Sequence, residues 1–305
     1  MWHRIQKYRI LEVLTTCLIK SIYKKELTSL ICTMEKVIFT DIDGTLLDSR
    51  FPDMNRMKEL VEMTLQNGIH LIFCSSKTEL EQNNIKSQVN LHEPYIVENG
   101  GATIIPVDYF KKAKITNSRI SQNNYIIESG GTAIKIRTLL KKVKDKYDID
   151  FKGVSDLSVS ELSRITKLSQ EYANRMMDRK YTETIVQINN MRITDFTKII
   201  EKEGLKIIPG NQYFDITLGN NKGTGVNILI NAFRKEYANN VIFFGIGDSR
   251  NDESMLSLVD IPMLVQKFGG NWENLQVDNL QRINGVGAKG WEIALELVLK
   301  YHDTP

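Results

Sequence analysis

A chain of 305 residues, 42% hydrophobic and 25% charged, is long enough to bury an ample core and has room for one large or two smaller domains. Its net charge of +3 is unevenly spread: residues 1–33 hold six basic residues (Arg4, Lys7, Arg9, Lys20, Lys24, Lys25) against Glu12 and Glu26, so the remainder carries a net −1. That remainder has no aromatic residues interleaved with basic clusters, which excludes a nucleic-acid footprint. The three cysteines, Cys17, Cys32 and Cys74, have neither metal-ligand spacing nor an even count for disulfides, and point to a reducing cytoplasm.

In residues 1–33 the apolar positions Ile10, Leu11, Val13, Leu14, Leu18 and Ile19 are interrupted by Glu12, Thr15 and Thr16. No uninterrupted span reaches membrane length, so no integral membrane segment is expected. A signal peptide, a basic surface helix and a short helix packed on the core are alternatives. The simplest reading is an upstream start preceding a start at Met34, because Met34-Glu35-Lys36 leads straight into a core strand.

That strand, Val37-Ile38-Phe39-Thr40, ends in Asp41-Ile42-Asp43-Gly44-Thr45. An apolar run closing in two acids describes a buried strand that delivers carboxylates to the carboxyl edge of a sheet, where open α/β folds place ligands. Like charges this close need a counter-cation, and hard oxygen ligands with room for phosphate suit Mg2+. A carboxylate can attack phosphorus and form an aspartyl-phosphate. A second acid can protonate the departing alkoxide and then activate water. Asp41 is therefore read as nucleophile and Asp43 as general acid/base. Gly44 permits a tight turn whose N–H groups could meet phosphate oxygens.

A second strand, Ile69 to Cys74, ends in Ser75-Ser76-Lys77-Thr78. The Ser75 hydroxyl is either a phosphate donor or a turn and helix-cap group. Cys74 reads as an inert core filler. The strand Pro94-Tyr95-Ile96-Val97 runs into Glu98-Asn99-Gly100-Gly101-Ala102, which on pattern alone is a hairpin turn. About 150 residues separate Ser75 from Lys222, far more than one crossover needs, so an inserted domain occupies the gap.

Within it, helices are expected near Ile134 to Val143, Tyr172 to Met176, and Phe196 to Glu203 with Gly204 as cap. Strands are expected at Thr184–Ile188, Leu205–Ile208 and Tyr213–Thr217, the last two flanking the turn Pro209-Gly210-Asn211-Gln212. Beyond it, Asn220-Asn221-Lys222-Gly223 opens a helix with Val226, Leu229, Ile230, Phe233 and Tyr237 on one stripe. Lys222 either neutralises phosphate and nucleophile or is solvated. Finally, Val241 to Ile246 repeats the strand-into-acids pattern and ends in Gly247-Asp248-Ser249-Arg250-Asn251-Asp252. Asp248 is placed to complete the metal shell, with Asn251 and Asp252 in support.

The ordered set Asp41-x-Asp43-Gly44-Thr45, Ser75, Lys222 and Gly247-Asp248-x-x-Asn251-Asp252 resembles the haloacid dehalogenase superfamily of phosphohydrolases. The resemblance implies an α/β fold with a doubly wound, Rossmann-like core (34–108 and 218–305) and an inserted α/β cap (109–217). It implies Asp41, Asp43, Ser75, Lys222 and Asp252 as catalytic residues, and Mg2+ held by Asp41, the Asp43 main-chain carbonyl and Asp248.

Cys74-Ser75-Ser76-Lys77-Thr78, Glu98-Asn99-Gly100-Gly101-Ala102, Arg179-x-Tyr181-Thr182-Glu183 and Gly290-Trp291 resemble the mannosyl-3-phosphoglycerate phosphatase family more narrowly. This implies a small-molecule phosphorylated sugar-glycerate as substrate, contacted by Ser76, Lys77, Asn99, Arg179 and Asn251. Arg179 is the candidate for the glycerate carboxylate, since arginine pairs with carboxylates bidentately; a solvated arginine at a helix end is the alternative. Asn211-Gln212-Tyr213-Phe214 and Thr184 depart from that family's pattern on the side expected to face the sugar. Glucosyl-3-phosphoglycerate, another phosphorylated sugar, and a phosphomutase using the same aspartyl-phosphate remain the alternatives.

Overall fold

The computed structural model describes residues 34–48, 50–189, 191–210 and 212–301. The chain divides into two units, Met1–Glu35 and Lys36–Pro305. The expectations for residues 1–33, with Cys17, Cys32 and Asn211, lie outside the described residues.

In chain order the described elements begin with β1 (Glu35–Thr40), α1 (Met54–Gln66), β2 (His70–Cys74), α2 (Glu79–Gln88), β3 (Tyr95–Val97), β4 (Ala102–Pro106), β5 (Arg119–Ser121) and β6 (Asn124–Glu128). There follow α3 (Ala133–Tyr147), β7 (Phe151–Gly153), α4 (Val159–Thr166), α5 (Gln170–Met177), β8 (Glu183–Ile188), α6 (Ile193–Lys202), β9 (Lys206–Pro209) and β10 (Phe214–Thr217). The chain closes with α7 (Lys222–Glu236), β11 (Val241–Gly247), α8 (Glu253–Leu256), β12 (Ile261–Gln266), β13 (Gln281–Val286) and α9 (Gly287–Lys300).

The large sheet has nine strands in the order β13-β12-β11-β1-β2-β3-β4-β6-β5. From β1 the chain steps outward in one direction through β2 and β3; from β11 it steps outward in the other through β12 and β13. The pairs β1/β2, β2/β3, β11/β12 and β12/β13 are parallel. The order therefore reverses between β1 and β11, and in open α/β sheets the ligand crevice lies at the carboxyl ends of strands flanking such a switch. Val37, Ile38 and Phe39 are fully buried although they point alternately to the two faces, as helices on both sides require.

Two packing contacts fix where β1 ends. Phe39 meets Phe243 of β11 with ring centroids 6.1 Å apart. Trp291 of α9, fully buried, donates from Nε1 to Thr40 Oγ1 at 2.9 Å, and Thr40 donates in turn to the Asp41 carbonyl at 2.8 Å. Burying side chains of this size is worth roughly 1.5–3 kcal/mol each, so the strand end carrying Asp41 is held by the core itself.

The second sheet, β7-β8-β10-β9, is antiparallel throughout. Phe151, Ile185, Phe196, Ile200 and Ile216 pack it against α3 and α6. The helix over Ile193–Lys202 ends as the sequence indicates, with Gly204 in the left-handed region at φ +78°. Strands β5 and β6, inside the 109–217 stretch, belong to the large sheet, β6 pairing antiparallel with β4 and β5 with β6. We propose that the cap is the part carrying its own sheet, 133–217.

Candidate active site

Asp41 and Asp248 stand just beyond the ends of β1 and β11, on either side of the switch point. Their carboxylates and that of Asp252 come within 4.8 Å of one another, all buried. Thr45 Oγ1 lies 3.3 Å from Asp41 Oδ2 and 3.1 Å from Asp248 Oδ1, so one hydroxyl links the two acids. Gly44 makes the return possible with φ +92°. Its N–H donates to the Leu47 carbonyl at 2.7 Å, so any N–H of this turn that meets a phosphate oxygen belongs to one of its neighbours.

Lys222 is the first residue of α7, whose N-cap Asn221 accepts from the Thr224 N–H at 3.1 Å. It is fully buried, with Nζ 2.5 Å from Asp41 Oδ1 and 2.6 Å from Asp252 Oδ1. The solvated reading of Lys222 does not hold. Asp252 Oδ2 accepts from the Asp248 and Ser249 N–H groups, each at 3.0 Å, so both its oxygens are engaged in holding the loop and the lysine.

The electrostatics follow from burial. Burial, which alone lowers a lysine, is overcome by Asp252 and Asp41, and Lys222 is held above the ordinary lysine range. Burial pushes Asp41 up to about 7 against the pull of Lys222. It also raises Asp248, with Asp252 and Asp41 adding to the effect. Three carboxylates face a single ammonium here, which formally leaves two negative charges uncompensated. Hard, buried oxygen donors with that charge deficit fit a divalent cation such as Mg2+.

Asp41 and Asp248 line a cavity of about 630 Å³ walled by both sheets' loops. Of the residues singled out in the sequence, Asp41, Asp43, Ser76, Lys77, Arg179, Asp248 and Asn251 line it; Ser75, Asn99, Lys222 and Asp252 stand behind the walls. Asp43 turns its carboxylate to Lys77 Nζ at 2.8 Å. Ser75 is fully buried at the end of β2, and its Oγ accepts from the Lys77 N–H at 3.2 Å.

Arg179 is buried rather than solvated. Its Nη1 donates to Thr182 Oγ1 at 2.7 Å and to the Ser76 carbonyl at 3.3 Å, and lies 3.5 Å from Asp215 Oδ1. Its Nε, also buried, has no acceptor among the described residues. Asn99 donates from Nδ2 to Asp215 Oδ2 at 2.8 Å, which explains its place behind the wall. The turn carrying it closes through Gly100 at φ +79°, where a Cβ would collide with the Asn221 carbonyl. Neighbouring Glu98 accepts from the Lys180, Tyr181 and Thr182 N–H groups at 2.9, 3.0 and 2.9 Å, tying the segment around Arg179 to the end of β3.

Asp215, Glu98, Thr45 and Arg50 were given no role from the sequence. Asp215 carried no usable signal: between Phe214 and Ile216 of a short strand, alternation reads a charge as the solvent face, and only the pairing with Asn99 and Arg179 buries it.

A profile of haloacid dehalogenase-like hydrolases matches residues 38–268. The chain belongs to the haloacid dehalogenase-like hydrolase family. A curated relative from Persephonella marina, named glucosyl-3-phosphoglycerate/mannosyl-3-phosphoglycerate phosphatase, is 35% identical over 86% of this chain and 97% of its own. One from Pyrococcus horikoshii, named mannosyl-3-phosphoglycerate phosphatase, is 29% identical over 82% of this chain and 97% of its own. Among solved structures, a phosphatase of the haloalkanoate superfamily from Bacteroides thetaiotaomicron superposes with a TM-score of 0.60 at 15% identity, covering 87% of this chain and 95% of its own, a likeness of fold. No helix among the described residues is long and apolar enough to cross a membrane.

Proposed function

We propose that this chain is a cytoplasmic, magnesium-dependent phosphatase that converts mannosyl-3-phosphoglycerate to mannosylglycerate and phosphate, and that it accepts glucosyl-3-phosphoglycerate as well. The observation that carries the reading is one cavity lined both by Asp41 and Asp248, with Lys222 and Asp252 behind them, and by a buried arginine whose Nε has no acceptor among the described residues. The names of the relatives from Persephonella marina and Pyrococcus horikoshii support the substrate.

Asp41, Asp248 and the Asp43 main-chain carbonyl would hold Mg2+, which when bound supplies charge neutralisation for the phosphoryl oxygens. In this reading an Asp41 carboxylate oxygen attacks phosphorus, and the bond to the glycerate C3 oxygen breaks. Asp43, held toward the cavity by Lys77, gives its proton to that departing oxygen. It then takes a proton from the water that hydrolyses the aspartyl-phosphate. Lys222 and Asp252 fix the rotamer and charge of Asp41 from beneath. Ser75, at the end of β2, shapes the loop that presents Ser76 and Lys77 to the phosphate, with Asn251 on the opposite rim. The Nε edge of Arg179 receives the glycerate carboxylate. Asn99 supports it indirectly, through Asp215.

Phosphate release from a panel of purified substrates tests this. The two hexosyl-3-phosphoglycerates should show the highest kcat/KM. Arg179→Ala should lower it about 10²-fold, the loss of a charge-assisted pair of about 1.5–3 kcal/mol, while an aryl phosphate, which has no carboxylate, changes little. Preference for a simple hexose phosphate, or equal losses on both substrates, would overturn the assignment.

A further inference from the structure

Four cations line the cavity: Arg50, Lys77, Arg179 and Lys267. Lys77 pairs with Asp43, Arg179 with Asp215, and Lys267 with Glu273. Arg50 has no carboxylate partner among the described residues. Its guanidinium carbon instead lies 3.5 Å over the centre of the Phe268 ring. A guanidinium stacked in this way spends its π face and none of its N–H donors, which point outward in its own plane. Phe268 remains 59% exposed, an unusual degree for a phenyl ring on a cavity wall.

Both partners stand on braced turns. Asp48 Oδ1 accepts from the Arg50 and Phe51 N–H groups at 2.8 and 3.0 Å. On the other side, Lys267 N–H donates to the Asn271 carbonyl at 2.8 Å and its own carbonyl accepts from Gly270 at 3.0 Å. The backbone carrying each partner of the stack is thus held by hydrogen bonds at the cavity rim.

We propose that Arg50 and Phe268 form the subsite for the hexosyl ring of the substrate. The inference rests on the function proposed above. In that reading the phosphate goes to the aspartate cluster and the carboxylate to Arg179, so the part of the substrate still without a partner is a neutral polyol with an apolar C–H face. In-plane N–H donors beside an exposed aromatic surface match that chemistry: hydroxyl oxygens accept from Arg50, and ring C–H groups cover the free surface of Phe268.

The test compares ligands that differ only in the hexose. The full chain and its Arg50→Ala and Phe268→Ala variants are assayed for the KM of mannosyl-3-phosphoglycerate. The inhibition constant of 3-phosphoglycerate is measured against hydrolysis of an aryl phosphate. The ratio of that KM to that inhibition constant should rise about tenfold in Arg50→Ala, the scale of one hydrogen bond to a charged group, and about fivefold in Phe268→Ala, the scale of one aromatic contact. An unchanged ratio overturns the inference, whether both constants rise together, which would give Arg50 to the carboxylate or phosphate, or neither moves. Failure of the unmodified chain to turn over either hexosyl compound overturns the proposed function and this subsite with it.

Discussion

Replacing Lys222 with methionine removes the ammonium that sits between Asp41 and Asp252 while keeping a side chain of similar length. The Nζ is 2.5 and 2.6 Å from the two carboxylates, and all three groups are buried. Breaking a buried ion pair by removing one partner costs about 3–5 kcal/mol, because the other partner stays behind uncompensated. A domain of this size class loses about 2–4 °C of melting temperature per kcal/mol, so in chelator the variant should melt roughly 6–20 °C below the parent. The formal charge deficit also grows from two to three, so added Mg2+ should raise the melting temperature more in the variant than in the parent. Turnover at saturating Mg2+ should fall about 10²–10³-fold, as for loss of one preorganised donor at a reacting group. Thermal denaturation with and without Mg2+, together with phosphate release, measures all three. An unchanged melting temperature in chelator with turnover within a few-fold of the parent would refute the charge argument.

Asp41→Asn should abolish phosphate release while the melting curve shows a folded protein; near-normal turnover would end its assignment as nucleophile. Asp43→Asn should cost about 10²–10⁴-fold, the usual contribution of proton transfer to the reacting oxygens, read from kcat on the same substrate. Chelator should remove activity, Mg2+ should restore it and Ca2+ should do so poorly, since calcium relaxes the octahedral geometry; full activity in metal-free buffer contradicts the metal site. Lys86, buried with its Nζ on the Glu93 carbonyl, is lowered by burial from near 10.5 to about 7. Between those values the unfolded chain holds a proton that the folded one lacks, so this group makes stability rise with pH across the window and contributes its full penalty below it. Lys86→Met should flatten the rise by about 2 kcal/mol between pH 7.5 and 9.5 in urea denaturation; parallel slopes in parent and variant would reject it.

Much of the site was legible because its chemistry sits where strands end. A run such as Val37 to Thr40 followed by Asp41 and Asp43, or Val241 to Ile246 followed by Asp248, states locally that a buried strand hands acids to a sheet edge. The helix stripe after Lys222 and the turn at Gly204 were equally local. Other features were not. The short strands β5 and β6 carry exposed residues such as Ile120, 66% exposed, and belong to the large sheet because of their pairing, which no alternation of their own announces. Arg179 and Asn99 read as a surface arginine and a hairpin turn on pattern alone; their burial depends on Asp215, which lies 116 residues from Asn99 in the chain.

The sequence by itself therefore determined that two buried strands end in acids and the order in which the motifs occur, both from short-range alternation and turn chemistry, while the fold class came from the family resemblance that those motifs carry. Tertiary structure alone decided which charges meet. Lys222 reaches Asp41 across 181 residues because the sheet order sets β1 beside β11, with α7 packed beneath them. Arg50 reaches Phe268 because two loops at the same sheet edge converge. Whether a lysine is solvated or a buried counter-charge is a property of what packs around it, and packing is set by strand order rather than by any neighbour in sequence.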